Sequence, residues 1–255
     1  MPAVGDRPAV LYEHAYYPGG QQTATGLPTD LGYQYAVQNA QAQYYHPALP
    51  ATNELVVIDV ERWHVWPWVV GDAHRTAIEK YADVASRTRA GTNQPVCIYS
   101  IAPAAGLLHA NWSVTDPAIR AAWTAASDVT AEVLVPEVDA LCPALYTYYG
   151  GTTEAELDQS IAQWQTFALE TIAEARRIAP DKPVYTFVWP QYHSGGTYSD
   201  YRLLEDRYWR AQLELVRDHA DGVILWGGWD FTTNRQAVFN PNASWYQIYQ
   251  EIFPD

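Results

Sequence analysis

Short apolar runs that are typical of β-strands alternate with longer segments of helical periodicity along most of this chain. Such an alternation predicts parallel strands joined by right-handed crossovers, because each helix packs back onto the sheet. Several runs are apolar throughout, as expected for strands that are covered on both faces. The predicted strands are residues 9–12, 55–61, 95–101, 138–148, 183–189 and 222–229.

The segments between these runs have the spacing and the end signals of helices. Asp116 followed by Pro117 predicts a helix start, since proline suits the first helical position. Thr152 and Thr153 precede another helix, which ends before Pro180. The predicted helices are residues 72–89, 116–134, 154–178, 201–219 and 244–252.

No glycine-rich phosphate loop follows a predicted strand, which favours a closed barrel over an open, doubly wound sheet. The length of 255 residues is typical of one such domain. We therefore predict an α/β fold with a single domain over residues 1–255, a β/α barrel of the TIM type that could have fewer than eight strands. Residues 17–52 receive no element; they indicate a functional loop over the barrel mouth or an error in the assignment.

Acidic residues outnumber basic ones, 29 against 15, which gives a formal net charge of −14. Nucleic acid and anionic membrane surfaces are not expected partners, because binding to them needs basic groups that displace counterions. No apolar run approaches the roughly 20 residues that cross a bilayer. Residues 1–10 lack the basic start and the apolar stretch of a signal peptide.

Metal and serine-nucleophile chemistry are not favoured. The 7 histidines have neither His-x-His nor His-Glu-x-x-His spacing, and no Gly-x-Ser-x-Gly turn is present, so we expect no metal or cofactor. Cys97 and Cys142 lack the spacing of zinc ligands. Because both lie in apolar runs, we expect buried thiols, with a disulfide between adjacent strands as the alternative.

Two carboxyl groups, Asp59 and Glu61, follow the apolar run 55–58. Strand side chains alternate, so both point to the same side, which at the carboxyl end of a barrel strand opens on the active-site mouth. Two carboxyl groups in a partly dry pocket cannot both ionise easily, so one pKa rises and provides a proton donor at neutral pH. The structural alternative is a capping Asp beside an ion-paired Glu.

Tryptophan and tyrosine dominate the aromatic residues, with 11 Trp and 19 Tyr against 5 Phe. Both combine a flat apolar face with a polar group, which suits a surface that stacks against sugar rings, although a Trp-rich core is the alternative. Several stand at predicted strand ends or just after the carboxyl pair: Trp63, Tyr99, Tyr146, Trp189, Tyr192, Trp226 and Trp229, the last followed by Asp230. The pattern favours a carbohydrate groove.

Four segments together resemble the hyaluronidase family. The run 57–63, Val-Ile-Asp-Val-Glu-Arg-Trp, is similar to that family's apolar strand followed by Asp-Trp-Glu, with Val60 in place of the middle Trp. The run 141–146 is similar to its Leu-Tyr-Pro-Ser-Ile-Tyr strand, and 222–229 to its Gly-Val-Val-Leu-Trp-x-Ser-Trp ending. Tyr99, with a proline a few residues on, matches its Tyr-Gly-Phe-Pro segment more loosely. The segments agree in order over most of the chain.

The resemblance implies a glycoside hydrolase that cleaves a β-linked N-acetylhexosamine polysaccharide by substrate-assisted, retaining hydrolysis. Glu61 would protonate the leaving oxygen and then activate water, while Asp59 would orient the substrate's own acetamido group. Tyr146 would hydrogen-bond near the acetamido oxygen with Tyr99 beside it, and Trp226 would form a pocket wall. An extracellular or secreted protein is also implied.

The chain lacks the cysteines that staple animal hyaluronidases and is shorter, which suggests a microbial or viral relative. Tyr192 matches a further groove position of the family, while the acidic balance disfavours hyaluronan itself. Two alternatives stay open. One is a glycosidase acting on a neutral glycan, in which Asp59, Asp230 or Glu13 attacks carbon directly. The other is a carbohydrate-binding barrel without catalysis.

Overall fold

The computed structural model describes residues 9–12, 55–60, 72–91, 94–104, 116–198, 200–227, 229–230, 233, 235–236 and 239–254. The strands are β1 (Ala9–Tyr12), β2 (Val56–Asp59), β3 (Val96–Ile98), β4 (Tyr185–Val188), β5 (Gly222–Leu225), β6 (Trp229–Asp230) and β7 (Arg235–Gln236). The helices are α1 (Asp72–Gly91), α2 (Pro117–Val133), α3 (Glu154–Ile178), α4 (Asp206–His219) and α5 (Ser244–Ile252), with a 3-10 turn at Val135–Glu137. None of these helices combines the length and the apolar character that crossing a bilayer requires.

Strands β1 to β5 and the segment 141–147 lie side by side in one parallel order. β1 pairs with β2, and β2 pairs with β3, in the parallel direction. Tyr99, directly after β3, forms a parallel bridge with Cys142, and Ala144 forms one with Phe187 of β4. β4 pairs in parallel with β5. These pairings confirm the predicted α/β class, and they bring the carboxyl ends of neighbouring strands to one edge.

The segment 138–148, predicted as a strand, forms single bridges instead of a continuous ladder. Pro143 has no amide hydrogen to donate, which interrupts the ladder near its centre. Between its bridges to Phe187 and Tyr192, the neighbouring strand also contains two more residues than this segment. Such an insertion bends the chain and changes the direction of side chains near the strand end. The prediction of a regular strand is therefore wrong here, although the parallel order is right.

Helix α4 begins at Asp206 and not at Tyr201, where the sequence pattern predicted its start. The residues before Asp206 run antiparallel to the chain that leaves β4, with a bridge between Gln191 and Leu203. Because their backbone groups are engaged in this pairing, the residues stay extended. The pairing joins two separate segments of the chain, and the periodicity of a single segment could not reveal it.

Two predicted helix starts have the expected capping contacts. The Asp116 side chain accepts a hydrogen bond from the amide of Ala118 at 2.8 Å, with Pro117 at the first helical position. Ahead of α3, the amide of Glu156 donates to the Thr153 hydroxyl oxygen at 3.3 Å, and the amide of Thr153 donates to the Glu156 carboxylate at 3.0 Å. Reciprocal capping satisfies amides that the first helical turn leaves unpaired.

The side chains of the strands alternate between two faces of the sheet, one of which packs against the helices. Val56 and Ile58 of β2 are fully buried in a cluster that includes residues of α1. Val57 points the other way, as strand alternation requires. It belongs to what we call the strand-face cluster: Val57, Cys97, Ala140, Cys142, Ala144, Tyr146, Phe187 and Trp189. Burial of each aliphatic side chain stabilises the fold by about 1.5–3 kcal/mol.

Cys97 and Cys142 form a disulfide, so the expectation of two thiols is wrong and the alternative holds. Both cysteines are fully buried in the strand-face cluster, on neighbouring parallel segments. Their Cα atoms are 6.1 Å apart, within the range that a disulfide spans. The bridge closes a loop with a sequence separation of 45 residues, and loop entropy alone makes such a closure worth about 4 kcal/mol.

Candidate functional site

Asp59 is the last residue of β2, the central strand of the sheet β1–β2–β3. Because side chains alternate along a strand, Asp59 lies on the same side as Val57 and therefore faces the strand-face cluster. Only 9% of its surface is exposed. The protein thus has a buried carboxyl group at the carboxyl end of a parallel strand, where ligands of such folds commonly bind.

The chain directly beyond Asp59 is held by helix α1. Tyr81 of α1 is fully buried, and its hydroxyl donates a hydrogen bond to the carbonyl oxygen of Val60. Glu61 and Trp63 lie outside the described residues. Their assignments as proton donor and as substrate-binding residue therefore stay predictions.

Tyr99 lies beside Asp59 on the neighbouring strand. Ile58 and Ile98 are paired across β2 and β3, and the amide of Tyr99 donates to the carbonyl of Ile58 at 2.9 Å. Continuing this register by one residue sets Asp59 next to Tyr99. Ser100 then adopts a φ of 56°, a left-handed conformation that is uncommon for a residue other than glycine. The strand ends in this turn, so Tyr99 stands at its carboxyl end.

A continuous row of aromatic rings crosses three neighbouring strand ends. The ring centroid of Tyr99 is 6.0 Å from that of Tyr146 and 5.0 Å from that of Phe187, which it meets edge-on. Tyr146 is in turn 5.5 Å from Trp189. These separations are those of favourable aromatic pairs. The structure therefore brings together three residues that the sequence singled out, Tyr99, Tyr146 and Trp189.

Trp189 is held in place by a hydrogen-bonded neighbour. Its indole nitrogen donates to the side-chain oxygen of Gln191 at 2.9 Å, and the Gln191 amide nitrogen donates to the carbonyl of Tyr201 at 2.6 Å. The indole is almost fully buried, with 4% of its surface exposed. Its ring lies 5.7 Å from Tyr201 and 6.2 Å from His193, both half-buried. The aromatic row thus extends to residues that the sequence analysis did not select.

His193 is neutral and has a defined tautomer. The amide of Gly195 donates to its Nδ1 at 3.1 Å, so the ring proton is on Nε2. Burial lowers the pKa of His193 below the ordinary value of 6.5. Its ring also lies 4.5 Å from that of Tyr148, with 35° between the two planes. The site therefore includes an imidazole that is uncharged at pH 7 among aromatic rings.

Tyr192 does not lie at this surface, contrary to the expectation of a groove residue. Its ring is fully buried on the helix-facing side, 4.7 Å from Tyr198 and 6.2 Å from Tyr208. Its hydroxyl donates to the Glu205 carboxylate at 2.6 Å. Burial, and then this hydrogen bond, raise the pKa of the Tyr192 hydroxyl. Tyr192 therefore supports the chain beneath the aromatic row.

The last predicted site residues follow β5. The amide of Trp226 donates to the carbonyl of Val188 at 2.9 Å, and the half-buried indole packs against the strand-face cluster. Asp230 accepts hydrogen bonds from the amide of Thr233 at 3.3 Å and from its hydroxyl at 2.8 Å, between the antiparallel strands β6 and β7. The side chain of Trp229 lies outside the described part. Trp226 thus joins the aromatic surface, while Asp230 stabilises a turn.

The alternation of side chains along an extended chain could have identified His193, which was not among the residues selected from the sequence. Trp189, Gln191 and His193 are two residues apart, so an extended chain presents all three on one side. Tyr192 is three residues from Trp189 and falls on the opposite side. Tyr148 and Tyr201 come from other segments, and only the tertiary structure brings them to His193.

Taken together, these features define a class of α/β protein with a site at the carboxyl ends of its parallel strands. The site contains a buried carboxyl group, a row of aromatic rings and a neutral imidazole. Within the described residues, no group of three or more His, Cys, Asp or Glu side chains could hold a metal ion. Flat rings with polar groups suit stacking against sugars.

Comparison with known proteins shows which solved structures have a similar fold. No protein-family model and no curated protein sequence matches the chain. Among solved structures, bee venom hyaluronidase in complex with a hyaluronic acid tetramer has a TM-score of 0.60 at 18% sequence identity, over 88% of this chain and 79% of that one. A monoclinic crystal structure of bee venom hyaluronidase gives 0.59 at 17% identity, over 88% and 80%. The predicted distant likeness to hyaluronidases is therefore confirmed at the level of the fold.

Proposed function

We propose that the protein is a glycoside hydrolase that cleaves a polysaccharide containing β-linked N-acetylhexosamine. The observation that carries this proposal is the buried carboxyl group of Asp59 beside Tyr99, from which the aromatic row runs through Tyr146 to Trp189. The fold similarity to an enzyme solved with a hyaluronic acid tetramer supports it.

The proposed chemistry is retaining and substrate-assisted. Glu61, two residues beyond Asp59 and in phase with it on an extended chain, gives a proton to the glycosidic oxygen. The acetamido oxygen of the substrate forms a bond to the anomeric carbon as the glycosidic bond breaks. The Glu61 carboxylate then takes a proton from water, which attacks the same carbon and restores the acetamido group.

Asp59 orients the acetamido group and stabilises the positive charge that develops on its nitrogen. A carboxylate with little contact with water suits this role, because charge interactions are stronger where solvent is excluded. Tyr146, with 7% of its surface exposed, would hydrogen-bond near the acetamido oxygen, with Tyr99 beside it. Both rings belong to the face that Asp59 shares.

The aromatic residues provide the substrate-binding walls in this proposal. Trp189 and Trp226 are described on the strand face. The half-buried indole of Trp226 suits stacking against a sugar ring, and Trp189, with 4% of its surface exposed, contributes to the wall through its packing against His193 and Tyr201. Trp63, Trp229 and Asp230 are further substrate-binding residues in the same proposal. Polysaccharide or oligosaccharide is the expected partner.

We further propose that the parallel strands close into a single TIM-type barrel that forms one domain over residues 1–255. The fold similarity and the continuous parallel order of β1 to β5 support this proposal. An extracellular or secreted location is supported by the Cys97–Cys142 disulfide, since disulfides persist mainly in oxidising compartments.

A panel of polysaccharides assayed for new reducing ends tests the function. Wild-type protein should release reducing ends from N-acetylhexosamine polymers, and Glu61→Gln should lower kcat by about 100-fold or more while glycan binding persists. Glu79→Gln, an exposed change on α1, is the matched control and should retain full activity. Equal rates for Glu61→Gln and wild type would end the assignment.

An N-acetyl-thiazoline inhibitor tests the mechanism, because it resembles the intermediate that the acetamido group forms. It should inhibit competitively, and Asp59→Asn should lower turnover of acetamido sugars by roughly 100-fold. Asp181→Asn, an exposed change ahead of β4, is the control. Hydrolysis that resists the inhibitor and proceeds equally well without an acetamido group would favour a carboxylate nucleophile.

A further inference from the structure

The chain that leaves β4 makes an excursion, residues 191–203, which is closed on itself and packed onto a neighbouring segment. The amide of Tyr192 donates to the carbonyl of Arg202 at 2.9 Å, which closes the excursion. The amide of His193 donates to the carbonyl of Thr147 at 2.7 Å, and that of Thr197 donates to the carbonyl of Tyr148 at 2.7 Å. The excursion is therefore anchored to residues just beyond Tyr146.

One glycine permits this close packing. A Cβ atom at Gly196 would lie 1.5 Å from the carbonyl oxygen of Tyr148, so no larger residue fits without displacing the backbone. The approach of the two segments is what brings the rings of Tyr148 and His193 to 4.5 Å. Their relative position therefore follows from backbone contacts.

Two half-buried rings, those of His193 and Tyr201, pack against the buried indole of Trp189, and the half-buried ring of Tyr148 packs against His193. His193 lies 6.2 Å from Trp189, 4.5 Å from Tyr148 and 6.5 Å from Tyr201. Tyr201 is itself 5.7 Å from Trp189. The surface formed by Tyr148, Trp189, His193 and Tyr201, which we call the rim surface, continues the aromatic row outward from Tyr146.

The rim surface has a hydrogen-bond donor in a fixed orientation. Nδ1 of His193 accepts from Gly195, which leaves the proton on Nε2. No described residue accepts a hydrogen bond from this Nε2–H group. An Nε2–H donor among aromatic rings matches a pyranose, which has apolar C–H faces for stacking and oxygen atoms that accept hydrogen bonds.

The arginine side chains that the structure describes already form ion pairs with acidic residues. Every arginine whose side chain the structure describes forms an ion pair with Asp or Glu, and all of these except Arg202 lie on helices α1 to α4. Arg202 is bound to Asp200 at 2.9 Å and lies over the ring of Tyr198, which packs against Tyr192 on the helix-facing side. A sugar carboxylate would find no unpaired arginine among the described residues here.

We propose that the rim surface is a sugar subsite that takes an uncharged pyranose, with the Nε2–H group of His193 donating to a hydroxyl or acetamido oxygen. The proposal rests on the proposed hydrolase function and narrows its substrate to a neutral N-acetylhexosamine glycan. A polymer with uronic-acid units is disfavoured, because its carboxylate would lose water at an aromatic surface without gaining a cation from the described residues.

Three variants of His193 separate ligand binding from loop structure. His193→Phe keeps a ring and removes the donor. His193→Asn keeps an acceptor for the Gly195 amide and does not reach the position of Nε2. His193→Gln returns an N–H donor near that position. His219→Gln, an exposed change at the end of α4, is the control.

The measurements are KM and kcat on a neutral N-acetylglucosamine oligomer and on a hyaluronan oligomer of equal length. The affinity of each oligomer is also measured by calorimetry on the Glu61→Gln background. His193→Phe and His193→Asn should raise KM and the dissociation constant for the neutral oligomer about 3- to 10-fold with little change in kcat, and His193→Gln should restore both. Wild-type protein should prefer the neutral oligomer.

Unchanged KM in His193→Phe, rescue by Asn and not by Gln, or preference for hyaluronan would overturn the subsite. Neutral-oligomer binding that depends on His193, without any hydrolysis, would keep the subsite and refute the hydrolase function. Absence of both binding and hydrolysis would refute both proposals.

Discussion

The hydroxyl of Tyr81 on α1 donates a hydrogen bond to the carbonyl oxygen of Val60, the residue between Asp59 and Glu61. The bond fixes the chain directly after β2 to helix α1, which packs on the face of the sheet opposite to Val57. Because Tyr81 is fully buried, water cannot replace this donor. The path of the backbone directly after Asp59 therefore depends on a tyrosine that lies 21 residues beyond Val60 in the sequence.

Replacement of Tyr81 by Phe should lower both stability and turnover. The carbonyl of Val60 loses its buried donor, which costs about 1–3 kcal/mol in the free energy of unfolding. We expect kcat to fall roughly 10-fold with little change in KM, since small displacements of catalytic groups are costly. Urea denaturation and steady-state kinetics measure the two effects.

Tyr208→Phe is the matched control for this change. The Tyr208 hydroxyl donates to the carbonyl of Ser160 at 3.1 Å, in the core between α3 and α4. It should lose comparable stability and keep its kcat. Equal losses of kcat in the two variants would show that Tyr81 acts only through overall stability.

Replacement of Tyr192 by Phe distinguishes a supporting residue from a groove residue. The lost hydrogen bond to the half-buried carboxylate of Glu205 should cost about 1–2 kcal/mol of unfolding free energy. KM for oligosaccharides should stay unchanged, because the ring has no exposed surface. A raised KM at unchanged stability would return Tyr192 to the groove. Trp189→Phe, which alters the aromatic row, serves as the positive control for KM.

Two adjacent glycines offer a matched test of the packing behind the rim surface. Gly196→Ala should destabilise the protein by about 1–3 kcal/mol and raise KM, because the added Cβ would overlap the carbonyl of Tyr148. Gly195→Ala should have a much smaller effect, since its nearest neighbour, Nδ1 of His193, would be 3.3 Å from the new atom. Thermal unfolding and KM are measured for both. Similar behaviour of the two variants would contradict the packing described here.

Acidification should destabilise the protein below about pH 6.5. Burial lowers the pKa values of His74 and His193, so in this range the unfolded chain binds protons more readily than the folded protein. Stability therefore falls as the pH drops from the ordinary histidine value towards the lowered values, and it gains nothing from these groups above that value. Urea denaturation between pH 7 and pH 5 measures the slope.

Substrate affinity should weaken over the same range. A protonated His193 can no longer accept the Gly195 amide at Nδ1. Among the described residues, the titratable side chains whose rings pack against His193 are Tyr148 and Tyr201. The rise in KM on acidification should be smaller in His193→Gln, which does not titrate. An identical pH profile of KM in this variant would exclude His193 as the group responsible.

Local signals predicted the helices well. The bounds of α3 and α5 agree with the sequence pattern, and at α3 the capping box of Thr153 and Glu156 fixes the start within a few neighbouring residues. The helix predicted from Tyr201 begins later, because the preceding residues pair with the chain around Gln191. Such pairing depends on contacts between separate segments, and no local propensity encodes it.

The strand face was predictable only in part. The alternation of side chains along a strand correctly places Asp59 on the same face as Val57. The same alternation, continued past the end of β4, places His193 and not Tyr192 on the face of Trp189. The disulfide could be predicted only from the register between β3 and the segment 141–147, and the sequence alone does not determine that register. The contacts of Tyr148 and Tyr201 depend on the backbone approach at Gly196.

The Cys97–Cys142 bridge lies on the same face as Tyr99 and Tyr146, with Cys97 two residues before Tyr99 and Cys142 four residues before Tyr146. A covalent bond at this point prevents a shift in register between the two segments, independently of the conformation of the surrounding loops. Recombinant chain made in a reducing cytosol would lack that tie and would hold the two tyrosines by packing alone. The choice of expression host therefore decides which form of the aromatic row an assay measures.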